Sequence, residues 1–368
     1  MMFANLWAPT HNVRLPKPRV TVHRAPINVF ILAALLFFTS MGCWAVVPGA
    51  TTTTVTSSAN PSLVGQSVTF TVTVVPQSPQ MGTATGTVTL LADGSSIGSN
   101  TLSGSPAMAT FSTSALAPGS HTITVHYDGD NNWNAGNGAL TGNPQIVKIN
   151  TSSAVTSSAN PSVFGQLVTF TATVSPVSPG TGTPSGSVNF LDGGSLVGTG
   201  GLSGGMAVFS TSILSAGSHT ITTSYADSGS FNGSTGSLNG NPQIVNKGDT
   251  TTTVSTTCMT TFVAMQPFTV NATLSGVAPT GSVTFYDGGG DLCSKVVISA
   301  GMATCTSSTL AVGGSATEAQ YSINASYSGD TNNNASVSAS PLVVTVLSAS
   351  DVIFRNSLEP ESMSCPIE

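Results

Sequence analysis

The chain has 368 residues, of which 39% are hydrophobic and only 6% are charged, and its formal net charge at pH 7 is −6. Beyond residue 45 there are 14 acidic residues and only 4 basic ones, a net charge of −10. So acidic a surface cannot neutralise a run of phosphates, which excludes nucleic acid as a partner. The abundance of Thr, Ser, Val and Gly favours strands over helices.

The N-terminal 45 residues have the layout of a secretory signal. Half of the basic residues of the chain precede an apolar run over residues 29–38, and small residues follow it. This pattern predicts a signal peptide over residues 1–45, cleaved after Ala45. Two alternatives remain open: lipidation at Cys43, although Ser40 stands where a lipoprotein signal has Leu, or an uncleaved, short membrane anchor. The membrane is therefore a partner only if this segment is uncleaved or lipidated.

The rest of the sequence is a threefold repeat. Residues 60–71 return 100 positions later as residues 160–171, and residues 142–147 return as residues 240–245. A third, more diverged copy is recognisable at residues 265–274. Repeats of about 100 residues are long enough for each copy to form its own core. We predict three domains over residues 50–148, 149–247 and 248–347, followed by a tail over residues 348–368.

Within each copy the hydrophobic residues alternate with polar ones. Val68, Phe70, Val72 and Val74 share one parity in the first copy, and the other two copies repeat the pattern. In a strand, equal parity means one face, so these side chains should point into a core. Turn signals recur about every ten residues and no helical spacing follows residue 45. The pattern predicts an all-β protein of three tandem immunoglobulin-like β-sandwiches, joined end to end by short junctions.

Several motifs resemble those of a known family. They are an Asn-Pro-Ser opening, Gly-Gln before Val-Thr-Phe-Thr, a strand that ends at Asp-Gly, and Gly-Ser-His-Thr-Ile-Thr before a Tyr. In this respect residues 50–347 resemble the bacterial Ig-like repeat domains of exported and surface proteins. The resemblance implies an immunoglobulin-like sandwich, roles in spacing, adhesion or glycan contact, and no shared catalytic residue. The third copy departs from it, with Met265 where the others have Gly65 and Gly165.

The cysteines distinguish the third copy. Cys305 takes the core position that Phe111 and Phe209 hold in the other copies, and related repeat domains carry a cysteine pair at this hairpin. The resemblance therefore implies a disulfide between Cys293 and Cys305. A Cys258–Cys305 bond is the alternative, in which Cys365 pairs with Cys293 or stays free. The four cysteines beyond residue 45 are Cys258, Cys293, Cys305 and Cys365, an even number suited to an oxidising destination.

No catalytic or cofactor-binding site is predicted. His121 and His219 occupy one position of the repeat, where the third copy has Tyr321, and Tyr cannot easily replace a metal ligand or a general base. Two Gly-x-Ser-x-Gly matches, at residues 94–98 and 201–205, lie at hairpin turns without the helix that a nucleophile elbow requires.

Two turns carry the remaining candidate site residues. Asp128, Asp130 and Asn132 resemble the start of a calcium loop, but Trp133 stands where such a loop has Gly, and a polar turn is the alternative interpretation. Trp133 and Phe231 lie at comparable turns, where exposed rings would stack on sugars. Alternatively, both rings fold back and close the end of the sandwich or the domain junction.

These patterns together predict a non-enzymatic, exported protein of the structural or adhesion type. It would be secreted or held at the cell surface, with an unidentified protein or glycan as its partner. The alternative prediction is a carbohydrate-binding protein that uses the aromatic side chains at its loop tips.

Overall fold

The computed structural model describes residues 47–79, 81–257 and 260–349, and all 29 regular elements of these residues are β-strands. The predicted all-β class with three tandem Ig-like domains is confirmed. The predicted signal segment, Cys258, Cys365 and most of the predicted tail lie outside the described residues. We refer to the three repeats as domains 1, 2 and 3.

Domain 1 has two sheets. One has the strand order β5-β4-β8-β9-β1-β3-β6 and the other the order β2-β10-β7. Its strands are β1 (Thr51–Ser57), β2 (Ser62–Leu63), β3 (Val68–Pro76), β4 (Thr87–Ala92), β5 (Ser95–Thr101), β6 (Ala107–Thr113), β7 (Gly119–His121), β8 (Ile123–Tyr127), β9 (Gly136–Leu140) and β10 (Gln145–Lys148).

Domain 2 has ten equivalent strands, but the longer sheet of domain 1 is divided here into two. Its sheets have the orders β15-β14-β18-β19, β11-β13-β16 and β12-β20-β17. The strands are β11 (Thr151–Ser157), β12 (Ser162–Val163), β13 (Val168–Pro176), β14 (Ser187–Asp192), β15 (Ser195–Gly201), β16 (Met206–Thr211), β17 (Gly217–His219), β18 (Ile221–Tyr225), β19 (Ser234–Ser237) and β20 (Gln243–Asn246).

Domain 3 merges two of the short strands into one long strand, β27. The sheet orders are β21-β23-β26 and β22-β29-β27-β24-β25, and β28 pairs with β27. The strands are β21 (Thr251–Thr256), β22 (Thr261–Val263), β23 (Phe268–Ser275), β24 (Ser282–Tyr286), β25 (Asp291–Val297), β26 (Met302–Ser307), β27 (Glu318–Tyr327), β28 (Ser336–Val337) and β29 (Leu342–Leu347).

The predicted alternation on the first long strand of each domain is confirmed. Val68, Phe70, Val72 and Val74 of β3 are all at most 2% exposed, and the Thr residues between them are partly exposed. The equivalent apolar positions of β13 and β23 are also buried. Each domain therefore has its own core between facing sheets, as the strand period requires.

The repeated motifs at residues 60–71 and 142–147, which lie about 80 residues apart in the sequence, are in contact in the structure. β2 pairs in parallel with β10, and the Asn60 side chain donates to the Gly142 and Pro144 carbonyl oxygens at 3.3 and 2.9 Å. The N–H of Ile146 donates back to the Asn60 side-chain oxygen at 2.8 Å. The first and last segments of the domain are thus joined by side-chain contacts in addition to the short strand pair.

A buried glutamine completes this closure. Gln145 is 0% exposed, and its Oε1 accepts from Ser57 Oγ at 2.7 Å. Its Nε2 donates to the Ala59 carbonyl oxygen at 2.8 Å and to Ser62 Oγ at 3.2 Å. Gln243 makes the same contacts in domain 2.

Domain 3 closes its ends differently. β22 and β29 pair over three residues, and the rings of Phe262 and Phe268 lie 4.9 Å apart between their centroids. A longer ladder and apolar contacts here take the place of the buried polar network.

Replacing Gln145 by Leu should destabilise domain 1 by about 1–3 kcal/mol, because buried polar partners of its amide would be left unpaired. Hydrogen exchange of domain 1 peptides across a urea series measures the effect. The matched control is Gln77→Leu, since Gln77 is an exposed glutamine of the same domain. An unchanged midpoint for the Gln145 variant would contradict the role given to the amide.

Candidate functional site

His121 links a turn to a loop through both ring nitrogens. Its Nδ1 lies 2.7 Å from Asp93 Oδ2, and its Nε2 lies 2.7 Å from the Ala117 carbonyl oxygen. A carbonyl and an ionised carboxylate can only accept, so both hydrogen bonds form together only when both nitrogens carry a proton. The site therefore favours the charged imidazolium.

His219 repeats the link in domain 2, with Asp192 Oδ2 at 2.6 Å and the Ser215 carbonyl oxygen at 2.8 Å. In domain 3 the Tyr321 hydroxyl donates to the Ala311 carbonyl oxygen. The contact with the loop carbonyl is thus made with or without histidine, and the contact with a turn carboxylate is made by the two histidines.

The pKa shifts of the two histidines agree with these hydrogen bonds. Burial alone would lower the pKa of His121, but the hydrogen bonds to the Ala117 carbonyl and to Asp93 outweigh it and raise this pKa. For His219, the bonds to Asp192 and Ser215 likewise outweigh burial and raise the pKa. The hydrogen bond from His121 lowers the pKa of Asp93.

The predicted calcium residues form a hydrogen-bonded turn. Asp130 Oδ2 accepts from the N–H and the hydroxyl of Thr85 at 2.8 and 2.5 Å. Its Oδ1 accepts from the N–H groups of Asn132 and Trp133 at 2.7 and 2.9 Å. These bonds outweigh burial and lower the pKa of Asp130. A calcium ion would have to displace these donors.

The second carboxylate of the calcium candidate faces elsewhere. Asp128 Oδ1 lies 3.5 Å from His126 Nε2, in an exposed pair. Within the described ranges, no group of three or more His, Cys, Asp or Glu side chains is placed to hold a metal ion.

The structure decides whether the rings of Trp133 and Phe231 are exposed or folded back. Trp133 is only 5% exposed and belongs to the core of domain 1, where its ring covers Gly82. A Cβ at Gly82 would lie 3.0 Å from that ring, so a residue without a side chain makes room for it. The interpretation in which the ring folds back into its domain holds for Trp133, and the exposed-ring alternative is wrong for this residue. Phe231 is partly buried against the core of domain 2.

The structure confirms the disulfide between Cys293 and Cys305, which joins β25 to β26. The Cys258–Cys305 alternative is therefore wrong. By strand register, Cys293 takes the position of Gly98 and Gly198. Cys305 takes the position of the phenylalanine whose ring faces that glycine, which is Phe209 in domain 2.

Domain 2 shows why both positions change together. A Cβ at Gly198 would lie 2.2 Å from the Phe209 ring, which no side chain tolerates. Glycine is therefore the partner that this phenylalanine requires. In domain 3 a pair of bonded cysteines fills the same gap between the sheets.

The junction between domains 1 and 2 is built by direct contacts that sequence reasoning missed. Ile149 is 2% exposed, its N–H donates to the Ser230 carbonyl oxygen at 2.7 Å, and its own carbonyl accepts from the N–H of Asn232 at 2.8 Å. The preceding Lys148 reaches into domain 2, where its Nζ lies 3.3 Å from Asp227 Oδ2 and 3.0 Å from the Gly229 carbonyl oxygen.

The junction between domains 2 and 3 repeats these contacts. The Gly248 N–H donates to the Asn332 carbonyl oxygen at 2.9 Å, and the Gly248 carbonyl accepts from Asn334 at 2.8 Å. Lys247 donates to the Asp330 carbonyl oxygen. The available signal was a Lys directly before each junction residue, in a chain with only four basic residues beyond residue 45.

No helix in the described ranges has the length and hydrophobicity needed to cross a lipid bilayer. The apolar run over residues 29–38 lies outside those ranges.

All three domains match the family model of the bacterial Ig-like domain (group 3), over residues 54–143, 155–244 and 252–347. The matched residues make up about three quarters of the chain. None of the curated proteins matches this sequence significantly.

Solved structures with similar chains are remote. Three consecutive Ig domains of titin are 14% identical, with 82% of this chain and 99% of that chain covered and a TM-score of 0.29. The Escherichia coli adhesin FdeC is 15% identical, with 82% and 99% covered and a TM-score of 0.26. A putative membrane-anchored protein from Corynebacterium diphtheriae is 13% identical, with 80% and 91% covered and a TM-score of 0.23. Similarity at this level carries no information on ligand or activity.

Replacing both Gly198 and Phe209 by Cys should give domain 2 a disulfide equivalent to that of domain 3. Gly198→Cys alone should be destabilising because of the clash with Phe209, and Phe209→Cys alone should cost about 3 kcal/mol or more through the cavity that it leaves. The double variant should form the bond and regain stability relative to both single variants. Thiol titration and urea unfolding measure this, and free thiols in the oxidised double variant would contradict the inferred equivalence.

The histidine links should make domains 1 and 2 sensitive to pH. Because folding raises the pKa of His121 and His219 above the usual 6.5, their stabilisation is complete below about pH 6.5 and is lost as the pH rises through the raised values. Urea midpoints of the wild type and of the His121→Gln/His219→Gln variant should therefore converge at alkaline pH. Domain 3, with Tyr321, is the internal control, and a difference between the two proteins that grows with pH would be inconsistent with the imidazolium link.

Proposed function

The chain belongs to the bacterial Ig-like domain (group 3) family, and on this basis we propose that it is an exported, non-enzymatic protein of the structural or adhesion type. In this role its three domains act as joined spacers at the cell surface or in the medium. Family membership supports the modular structural role. The signal-like layout of residues 1–45 supports export.

The observation that carries the proposal is the recurrence of one junction. At both junctions a lysine of the preceding domain binds a turn of the following domain. The same turn pairs with the backbone of the first residue of its own domain, as it does in domain 1, where Gly49 pairs with Asn132 and Asn134. A chain that only needed flexible linkage would have exposed, Gly- or Ser-rich connections. These contacts suit a protein that holds successive domains in a defined relation.

The polar side chains support the non-enzymatic part of the proposal. The turn carboxylates Asp93, Asp130 and Asp192 are bound to internal partners. The serine of the first match, Ser96, lies in β5, and that of the second, Ser203, lies in the hairpin before β16. Each Gly-x-Ser-x-Gly match therefore belongs to a hairpin, whereas a nucleophile elbow is a strand-to-helix turn.

Single-molecule force spectroscopy of the full chain tests the spacer role. We expect three separate unfolding events, each releasing about 300 Å for roughly 90 residues at about 3.5 Å per residue. The increment of domain 3 should be about 40 Å shorter, because its disulfide joins residues 12 positions apart, at the same length per residue.

A thiol reductant is the control, since it should lengthen only the increment of domain 3. One event that releases the whole chain would contradict the proposal of domains in series. Mass spectrometry of the mature N-terminus from the native host tests export, and an intact N-terminus in the cytoplasmic fraction would refute it.

A further inference from the structure

Domain 2 has an open groove that no contact described above occupies. The groove has a volume of about 730 Å³ and lies between β15 and β16, next to the His219–Asp192 link. Its apolar lining consists of Leu167, Leu196, Val197, Phe209, Ile213 and Leu214.

Three of these side chains are far more exposed than is usual for their type. Ile213 is 86% exposed, Leu167 63% and Leu196 62%. Single exposed apolar residues are common, but several that line one groove mark an interaction surface.

The apolar character is specific to domain 2. Ile213 and Ala115 are equivalent because the N–H of each donates to the threonine hydroxyl two residues before it. Leu196 and Ser96 hold the same register opposite the preceding strand. In place of Leu167, Leu196 and Ile213, domain 1 has Ser67, Ser96 and Ala115, and domain 3 has Pro267, Asp291 and Thr309. One copy of the repeat has thus acquired a surface that the other two lack.

The groove is bordered by open strand edges. β15 is the last strand of its sheet and β16 the last of the facing sheet, so among the described residues neither has a strand partner on its outer side. β15 carries no proline and no charged residue, which are the usual devices that block pairing at an edge. At Gly200 this edge lies against β16, where a Cβ would be 2.7 Å from the Val208 carbonyl oxygen. The exposed part of the edge is Ser195 to Val197, and its backbone groups can pair with another strand.

Charge does not oppose an identical partner at this place. The chain as a whole has a net charge of −6, so two copies repel each other over most of their surface. The charged residues that line the groove are Asp192 and His219, and they lie 2.6 Å apart as a pair. The groove is thus a site at which like-charged copies meet without added repulsion.

We propose that domain 2 binds a second copy of this chain, with the two β15 strands pairing edge to edge and the two grooves facing each other. Such a contact is isologous, since each copy offers the same surface. The exposed side chains of Leu167, Leu196 and Ile213 would contribute roughly half of the surface area, about 800 Å² per partner, that a stable interface buries. Val197 and the backbone edge of β15 add to it.

Sedimentation velocity of the full-length chain tests the proposal. The test variant is Leu167→Ser/Leu196→Ser/Ile213→Ala, which installs the residues of domain 1 at exposed positions and so preserves the fold. We expect a dimer of the wild type at micromolar concentrations and a dissociation constant at least about 30-fold higher for the variant, as for loss of interface anchors.

Three further measurements make the result specific. Val297→Ser is the matched control, because Val297 is 76% exposed but lies in domain 3, and it should leave the dimer unchanged. Amides of β15 should gain protection from hydrogen exchange as the wild-type concentration rises. At a concentration low enough for both proteins to be monomeric, the urea midpoint of the triple variant should equal that of the wild type, since association itself would raise the midpoint.

Three outcomes would overturn the proposal. They are a wild-type chain that remains monomeric at about 100 µM, far above typical dimer dissociation constants, a triple variant that dimerises as strongly as the wild type, and an association that depends on residues 1–45 instead of on the groove.

Discussion

The closure of each domain by contacts between its first and last segments is the constraint on which the rest of the structure depends. In domains 1 and 2 a fully buried glutamine, Gln145 or Gln243, satisfies polar groups from the start of the same domain. Because an unpaired buried polar group is costly, this network forms only when both segments are in place. In domain 1 the junction residue Ile149 follows directly after the strand that begins with this glutamine, and in domain 2 only Lys247 separates that strand from Gly248. The closure of one domain therefore lies next to the start of the following one.

Much of the fold could be predicted because it rests on period and repetition. The alternation from Val68 to Val74 has a single interpretation, and three copies of it exclude chance. The cysteine pair could be found because Cys305 replaces a core phenylalanine, which shows that the position is buried. The reason for Cys293 became visible only in the structure, where Gly198 lies against the Phe209 ring with no room for a Cβ.

The contacts made by the turns and junctions could not be predicted from the sequence in the same way. Trp133 follows a polar turn, and polarity suggests exposure, but the ring is buried because Gly82, about 50 residues earlier, leaves space for it. Lys148 and Lys247 bind a turn about 80 residues further along the chain. Contacts over such distances depend on the fold of two domains together, and a local pattern does not encode them.

The repeated junction has a consequence for how such a protein can change in length. The lysine that makes each contact ends one repeat, and the turn that receives it belongs to the next. A segment such as residues 149–247 therefore carries both an acceptor turn, at Asp227 to Gly229, and a donor lysine at its end. Duplication of that segment in the gene would create a new junction with the same contacts on both sides, so the reach of the protein can evolve in whole-domain steps without any new interface.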